Sequence, residues 1–219
     1  MPHGEIAYSL LNNRRIRFDL DRKKYQAIIE TLIQPDSQAR AAIAGGCFTK
    51  YPEDTQTLDT VDLYVSTSHK DTMHAQLNKD EQQMTSMLAE VNNILKTPVG
   101  SILVGDSFNR NVICQITQTH DVSWLDKDLK RQTQRITVKI LFTIQETNRI
   151  DSLLNMFQLE PCKIAYKDKK FHFSDWFVRG GSIISEGHEP SVEFLNRYLQ
   201  KGFEHTMNTG WELFCYDHN

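Results

Sequence analysis

Ala42-Ile43-Ala44-Gly45-Gly46-Cys47-Phe48, followed after a polar loop by Leu58-Asp59-Thr60-Val61-Asp62-Leu63-Tyr64-Val65, is the stretch on which the fold turns. An apolar run meets two adjacent glycines. The chain then returns in a segment where Val61, Leu63 and Val65 alternate with Asp62 and Tyr64, the period-two pattern of a half-buried strand. Thr60 and Asp62 therefore share one face, and Asp59 takes the other. Backbone amides at a glycine turn approach phosphate oxygens with no side chain in the way, and a neighbouring strand carboxylate can hold a divalent ion. The two segments together suit phosphate and metal. The run 37–44 is compatible with a helix or with a first core strand, because a short alanine-rich segment has no decisive period.

Upstream, residues 6–11 and 15–20 flank Asn12-Asn13 as the arms of a hairpin would. Asp21 is placed to cap a helix in which Tyr25, Ile28, Ile29, Leu32 and Ile33 recur at three- and four-residue spacing before Pro35. Downstream, Met84, Met87, Val91 and Ile94 belong to an apolar stripe that predicts a helix within 70–96, its methionines filling core gaps. Residues 101–106 and 112–119 read as strands and the charged stretch 126–131 as an exposed loop. Residues 135–144 read as a strand with Ile136, Val138, Ile140 and Phe142 inward. A helix over 148–157 follows, then strands at 162–166 and 170–173 about a Lys167-Asp168-Lys169 turn. The last helix, about 191–203, carries Val192, Phe194, Leu195, Tyr198 and Leu199 and closes at Gly202, and an apolar tail at 211–216 docks behind it. The expected fold class is α/β (α+β), a mixed sheet flanked by helices in one domain: a hairpin and helix over 1–36, the core sheet over 37–177, and a helix with its tail over 178–219.

A chain of 219 residues, 39% apolar and 24% charged, is long enough for one sizeable core. Its net charge of -3 excludes a protein that holds nucleic acid through a global positive field, while Lys127, Lys130, Arg131 and Arg135 leave room for a local strip. No apolar run approaches the ~20 residues that span a bilayer, and the start Met1-Pro2-His3-Gly4-Glu5 is not a secretory signal. No membrane partner and a cytoplasmic location are expected. Cys47, Cys114, Cys162 and Cys215 lack paired spacing, which argues for reduced thiols rather than a zinc knuckle or disulfide scaffold. A cysteine hydrolase built on Cys47 would need His120 or His172 as base, and nothing in their spacing supports it.

The glycine pair followed by an acidic strand resembles the nucleotidyltransferase superfamily, of polymerase-β-like fold, whose members place Gly-Gly or Gly-Ser ahead of an Asp-x-Asp strand. Residues 136–141 sit where such proteins have a core strand. Phe157-Gln158-Leu159-Glu160-Pro161-Cys162-Lys163-Ile164-Ala165-Tyr166 is similar to the Phe-Asp-leading segment of the viral, phage and parasite branch. Arg197-Tyr198-Leu199-Gln200-Lys201-Gly202-Phe203 is similar to that branch's basic-Tyr-x-x-basic-Gly-Phe helix. The resemblance spans roughly 42–203. It implies Mg2+ or Mn2+ on two or three converging carboxylates, bridging a nucleoside triphosphate and an attacking hydroxyl.

In the family the strand carboxylates lie two apart, which here means Thr60 and Asp62. Thr60 has no charge, and Gln158 stands where the branch carries Asp. Asp59, through a bulge, and Glu160, on the strand face of Gln158, are the neighbours that substitute. The implied site is Asp62, Asp59 and Glu160 as catalytic carboxylates, with metal on Asp62 and Glu160. Gly45, Gly46, Arg197 and Lys201 meet the nucleotide. The reduced carboxylate set favours a pseudoenzyme that binds nucleotide or RNA over an active metal-dependent nucleotidyltransferase. A platform or effector for a protein partner is the third reading.

Overall fold

A computed structural model describes residues 17–50, 60–67, 81–102, 112–126, 128–143, 147 and 149–207. The hairpin arm at 6–11, the start of the helix expected from 70, residues 103–106 of the expected strand and the tail at 211–216 lie outside them, as do Asp59, Lys127 and Cys215. Strand β1 (Arg17–Phe18) leads to α1 (Arg22–Leu32). The Asp21 carboxylate caps α1, accepting from the backbone N–H groups of Lys23 and Lys24 at 3.0 and 3.2 Å. Pro35 opens a 3-10 turn, Pro35–Arg40, and the alanine-rich run then forms β2 (Ala41–Ala44), which excludes the helical alternative for those residues. All four side chains of β2 are buried, because the strand lies inside the sheet with both faces covered. The Gly46–Phe48 turn follows, and β3 (Thr49–Lys50) pairs antiparallel with β1.

Strand β4 (Thr60–Ser66) and helix α2 (Glu81–Ile94) precede two long strands, β5 (Val112–Leu125) and β6 (Arg131–Thr143). Then come α3 (Ile150–Leu154), β7 (Ile164–Lys167), β8 (Lys170–Phe173), α4 (Trp176–Arg179), β9 (Gly181–Ser182), α5 (Val192–Gln200) and β10 (Thr206–Met207). Six strands form one mixed sheet in the order β5-β6-β4-β2-β7-β8, with β4 and β6 parallel and every other pair antiparallel. The fold is α+β. Among the described residues no helix is long and apolar enough to cross a membrane.

One face of the sheet carries the main core. Val61, Leu63 and Val65 of β4 and Ile136, Val138, Ile140 and Phe142 of β6 join Ile28 and Leu32 of α1 and Met87 and Val91 of α2, as the alternation predicts. Among the described residues the opposite face is covered only in part. Ala42, Ala44, Tyr64, Leu141 and Ala165 lie under Leu153 and Leu154 of α3, while Thr60 and Lys139 are exposed and Asp62 and Thr137 half-buried.

The loop expected at 126–131 is a tight turn, and Arg131 already belongs to β6. Asp126 organises it: one carboxylate oxygen accepts from the N–H groups of Asp128 and Lys130, both at 2.9 Å, and the other from Gln132 Nε2 at 2.7 Å. The Gln132 hydrogen bond and those from the backbone hold the Asp126 carboxyl below the usual carboxylate range. Trp124 Nε1 donates to Asp21 Oδ2 at 2.9 Å, which ties the β5-β6 ribbon to the capped end of α1. Helix α5 starts on Ser191, whose hydroxyl accepts from Phe194 N–H, and closes with Gly202 at φ 99. Val192 is 74% exposed rather than in the core, so the apolar stripe begins at Phe194, the first of these residues to reach the core.

The β7-β8 turn puts Asp168 and Lys169 at φ 49 and 62, the left-handed pair of a type I′ hairpin in which Asn-Gly is the least strained choice. Replacing Asp168-Lys169 by Asn-Gly is expected to stabilise the fold by about 1 kcal/mol. Urea denaturation with an unchanged m-value checks this, and a drop in midpoint would contradict the turn assignment.

Candidate functional site

The site begins with strand register. Thr60 pairs with Thr137 and Asp62 with Lys139 across β4-β6, and Lys139 with Thr117 across β5-β6. Continuing the β2-β4 register by one residue sets Ala44 opposite Asp62, and Ala44 pairs in turn with Ala165 of β7, opposite His172 of β8. Thr117, Lys139, Asp62, Ala44, Ala165 and His172 thus form one row across the incompletely covered face. Gly45 follows Ala44 directly, at φ 96, with its N–H donating to the Ile164 carbonyl at 3.0 Å. The glycine bend and Asp62 therefore meet at one end of β2. Tyr64, two positions from Asp62 on the same face, registers both: burial raises its phenol above the ordinary value, and Asp62, Cys47 and Cys162 raise it further.

Side chains from later in the chain close over the bend. A Cβ on Gly45 would lie 2.8 Å from Cε1 of Phe157, and a Cβ on Gly46 would collide with the Tyr198 hydroxyl. Phe157 meets Tyr64 edge-to-face, with ring centroids 5.8 Å apart at 85°. Cys162 Sγ donates to the Tyr198 hydroxyl at 2.8 Å, and burial pushes the Cys162 thiol up to about 12, so this thiol stays protonated. Lys201 Nζ donates to the carbonyl and the hydroxyl of Thr49 at 3.1 and 2.9 Å and stands 4.8 Å from the centre of the Tyr198 ring. Arg197 pairs with Glu193 at 2.6 Å on the exposed flank of α5. Of the four residues expected on the nucleotide, Gly45 and Gly46 adjoin Asp62, Lys201 anchors α5 to β3, and Arg197 is engaged one turn away.

The two described carboxylates of the expected set, Asp62 and Glu160, lie in different surroundings. Burial raises the Asp62 carboxyl above its ordinary value, and Lys139 works against that shift. Segment 158–160 is not a strand: Leu159 makes a single bridge to Ile184, and Glu160 opens a 3-10 turn to Cys162. Gln158 and Glu160 consequently share no strand face, and Pro161 cannot donate to a ladder. Glu160 accepts from Lys163 Nζ at 2.8 Å and from Ser174 Oγ at 3.1 Å. It lines an open cleft of about 670 Å³ with Asp151, Asp175, Arg179 and Glu186, and Asp62 does not belong to that lining. Among the described residues no three His, Cys, Asp or Glu side chains converge. These residues do not fit a two-metal centre: Thr60 is neutral, and Lys139 supplies positive charge beside Asp62.

Sequence reasoning missed Lys139, which carried only a weak signal as a cation within an alternating strand. Tyr198 was named beside Arg197 and Lys201, but its approach and that of Phe157 to the glycines depend on long-range packing that no local pattern encodes. Cys47 directs its thiol to the Ala44 carbonyl, and His120 is engaged by Gln118. No family model, curated protein or solved structure matches the chain.

Two outcomes test this geometry. Since the folded-state pKa of Asp62 is raised, its contribution to stability is fully present below the ordinary carboxylate value of about 4 and is lost as pH rises through the raised value. Asp62→Asn is expected to remove that loss, so its melting temperature gains on the wild type as pH goes from 3.5 to 8; a constant difference would show that the acid is not desolvated. Gly46→Ala is expected to cost about 1–3 kcal/mol through its clash with Tyr198, and Tyr198→Phe, by deleting the hydroxyl, to restore part of it in the double variant. Strictly additive losses in denaturant melts would contradict the contact.

Proposed function

We propose that the protein is a catalytically reduced member of the nucleotidyltransferase type that binds nucleotide or RNA phosphate where the Gly45-Gly46 bend meets the Asp62-Lys139 row. The observation that carries this reading is that register pairing of one acid with one lysine. Beside a glycine-ended strand, Lys139 offers an anion a mobile cation, whereas a single carboxylate cannot bridge the two ions that metal-assisted transfer uses. On this reading Mg2+ or Mn2+ is dispensable for binding, and Asp62 is a charged neighbour of Lys139 rather than a metal ligand.

Thermal shift with the four nucleoside triphosphates and a short ribo-oligonucleotide, in EDTA and in magnesium, tests it. Stabilisation that persists in EDTA and falls in Lys139→Ala is expected, growing with ligand concentration as binding linkage requires. Incorporation of labelled nucleotide that vanishes in Asp62→Ala would make the protein an active transferase. No response to any ligand would favour a platform for a protein partner.

A further inference from the structure

We propose that single-stranded nucleic acid runs along the uncovered face of the β5-β6 ribbon, its phosphates held by Lys139, Arg135 and Arg131, with the Lys139 end beside Asp62. This rests on the anion-binding reading above and extends it from a pocket to a track.

Side chains two apart on a strand share a face, so Arg131, Thr133, Arg135, Thr137 and Lys139 point the same way. All of them but the half-buried Thr137 are exposed. Register sets hydroxyls between the cations: Thr133 meets Ser123 at 2.8 Å and Thr137 meets Thr119 at 3.2 Å. Cation rows and hydroxyl rows therefore alternate at a step of about 6.8 Å, over about 27 Å from Arg131 to Lys139, room for a short site on an extended strand. None of the three cations forms an ion pair with another described residue, although Asp121 stands opposite Arg135 in register. A polyanion supplies the charge they lack.

The same packing disfavours a duplex. A two-stranded ribbon reads the major groove by inserting bodily into it. Here the other face of the ribbon lies on α1, with Val122 in the core, Trp124 bonded to Asp21 and Lys23 Nζ donating to the Asp126 carbonyl at 3.1 Å. Only one face is available, which suits a strand laid across it. Among the described residues that face presents no aromatic ring for base stacking, so binding depends on phosphates, is independent of sequence and weakens steeply with salt.

Fluorescence anisotropy of the full chain with a labelled 20-nucleotide oligouridine, from 25 to 200 mM KCl, is the test. Three phosphate contacts give a slope of log K against log salt of about -2. Arg131→Ala/Arg135→Ala, both outside the pocket, is expected to weaken binding about tenfold at low salt, to reduce the slope by about 1.4, and to leave the melting temperature and the mononucleotide thermal shift unchanged. The lysine-bearing variant Arg131→Lys/Arg135→Lys should retain the slope. If the alanine variant binds the oligomer as wild type does, or if a duplex binds as tightly as the single strand, the track is overturned while a mononucleotide response still supports the pocket. If oligomer binding falls together with the mononucleotide response, the loss is not specific to the track and overturns it.

Discussion

The approach of Phe157 and Tyr198 onto Gly45 and Gly46 joins segments that are far apart in sequence, and much of the fold depends on it. Phe157 follows α3 and Tyr198 lies in α5, yet both reach the end of the central strand β2 because two successive positions there lack side chains. Once seated, the Tyr198 hydroxyl accepts from Cys162 at the entry to β7, and its ring stacks beneath Lys201, which holds β3. The positive φ of Gly45 adds a conformational requirement to the steric one, since an L side chain there would be strained even with Phe157 removed. The bend is thus first a packing device, and any ligand beside it must be met from the Asp62 and Lys139 side.

The two ends of β4 are treated differently, and the difference positions the site. At its C-terminal end, Arg40 Nε donates to the Ser66 carbonyl at 2.9 Å and pairs with Glu90, while Glu90 also accepts from Thr67 at 2.6 Å. Thr147 adds bonds to Ser66 and to the Arg40 carbonyl, both through its hydroxyl at 2.9 Å. A network with this many satisfied groups fixes the strand against α2 and β2. At the N-terminal end, Thr60 is exposed and Asp62 half-buried. The clamp at one end lets the other stay open without freeing the register.

Elements with a strong local period were legible in the sequence. The Asp21 cap, the stripe of α1, the alternation in β4 and β6 and the Asp168-Lys169 turn all follow from spacing and residue type. β2 was ambiguous because four small apolar residues fit either period, and only its place between β4 and β7 decides the matter. The part of β5 beyond Thr119 was missed because His120, Asp121 and Ser123 are polar and dilute the signal of Val122 and Trp124. Glu160 was misplaced for a different reason: Pro161 breaks the extended run that would have aligned it with Gln158. The row that links Asp62 to Lys139 needs cross-strand register, which the chain specifies only once the sheet exists.

The parallel pairing of β4 with β6 has a consequence for how the molecule assembles. Thr60 and Thr137 lie side by side yet are 77 positions apart along the chain, whereas Leu125 and Arg131, at the tip of the ribbon, are separated by six. Loop-closure entropy makes the ribbon an early local event and the central parallel contact a late one. Until β4 arrives, the inner margin of β6 is an unpaired edge with Ile136, Val138 and Ile140 in sequence, the kind of surface on which newly made chains cross-pair. In that order of events, pairing by the strand that bears Asp62 is expected to close this edge against association with other chains.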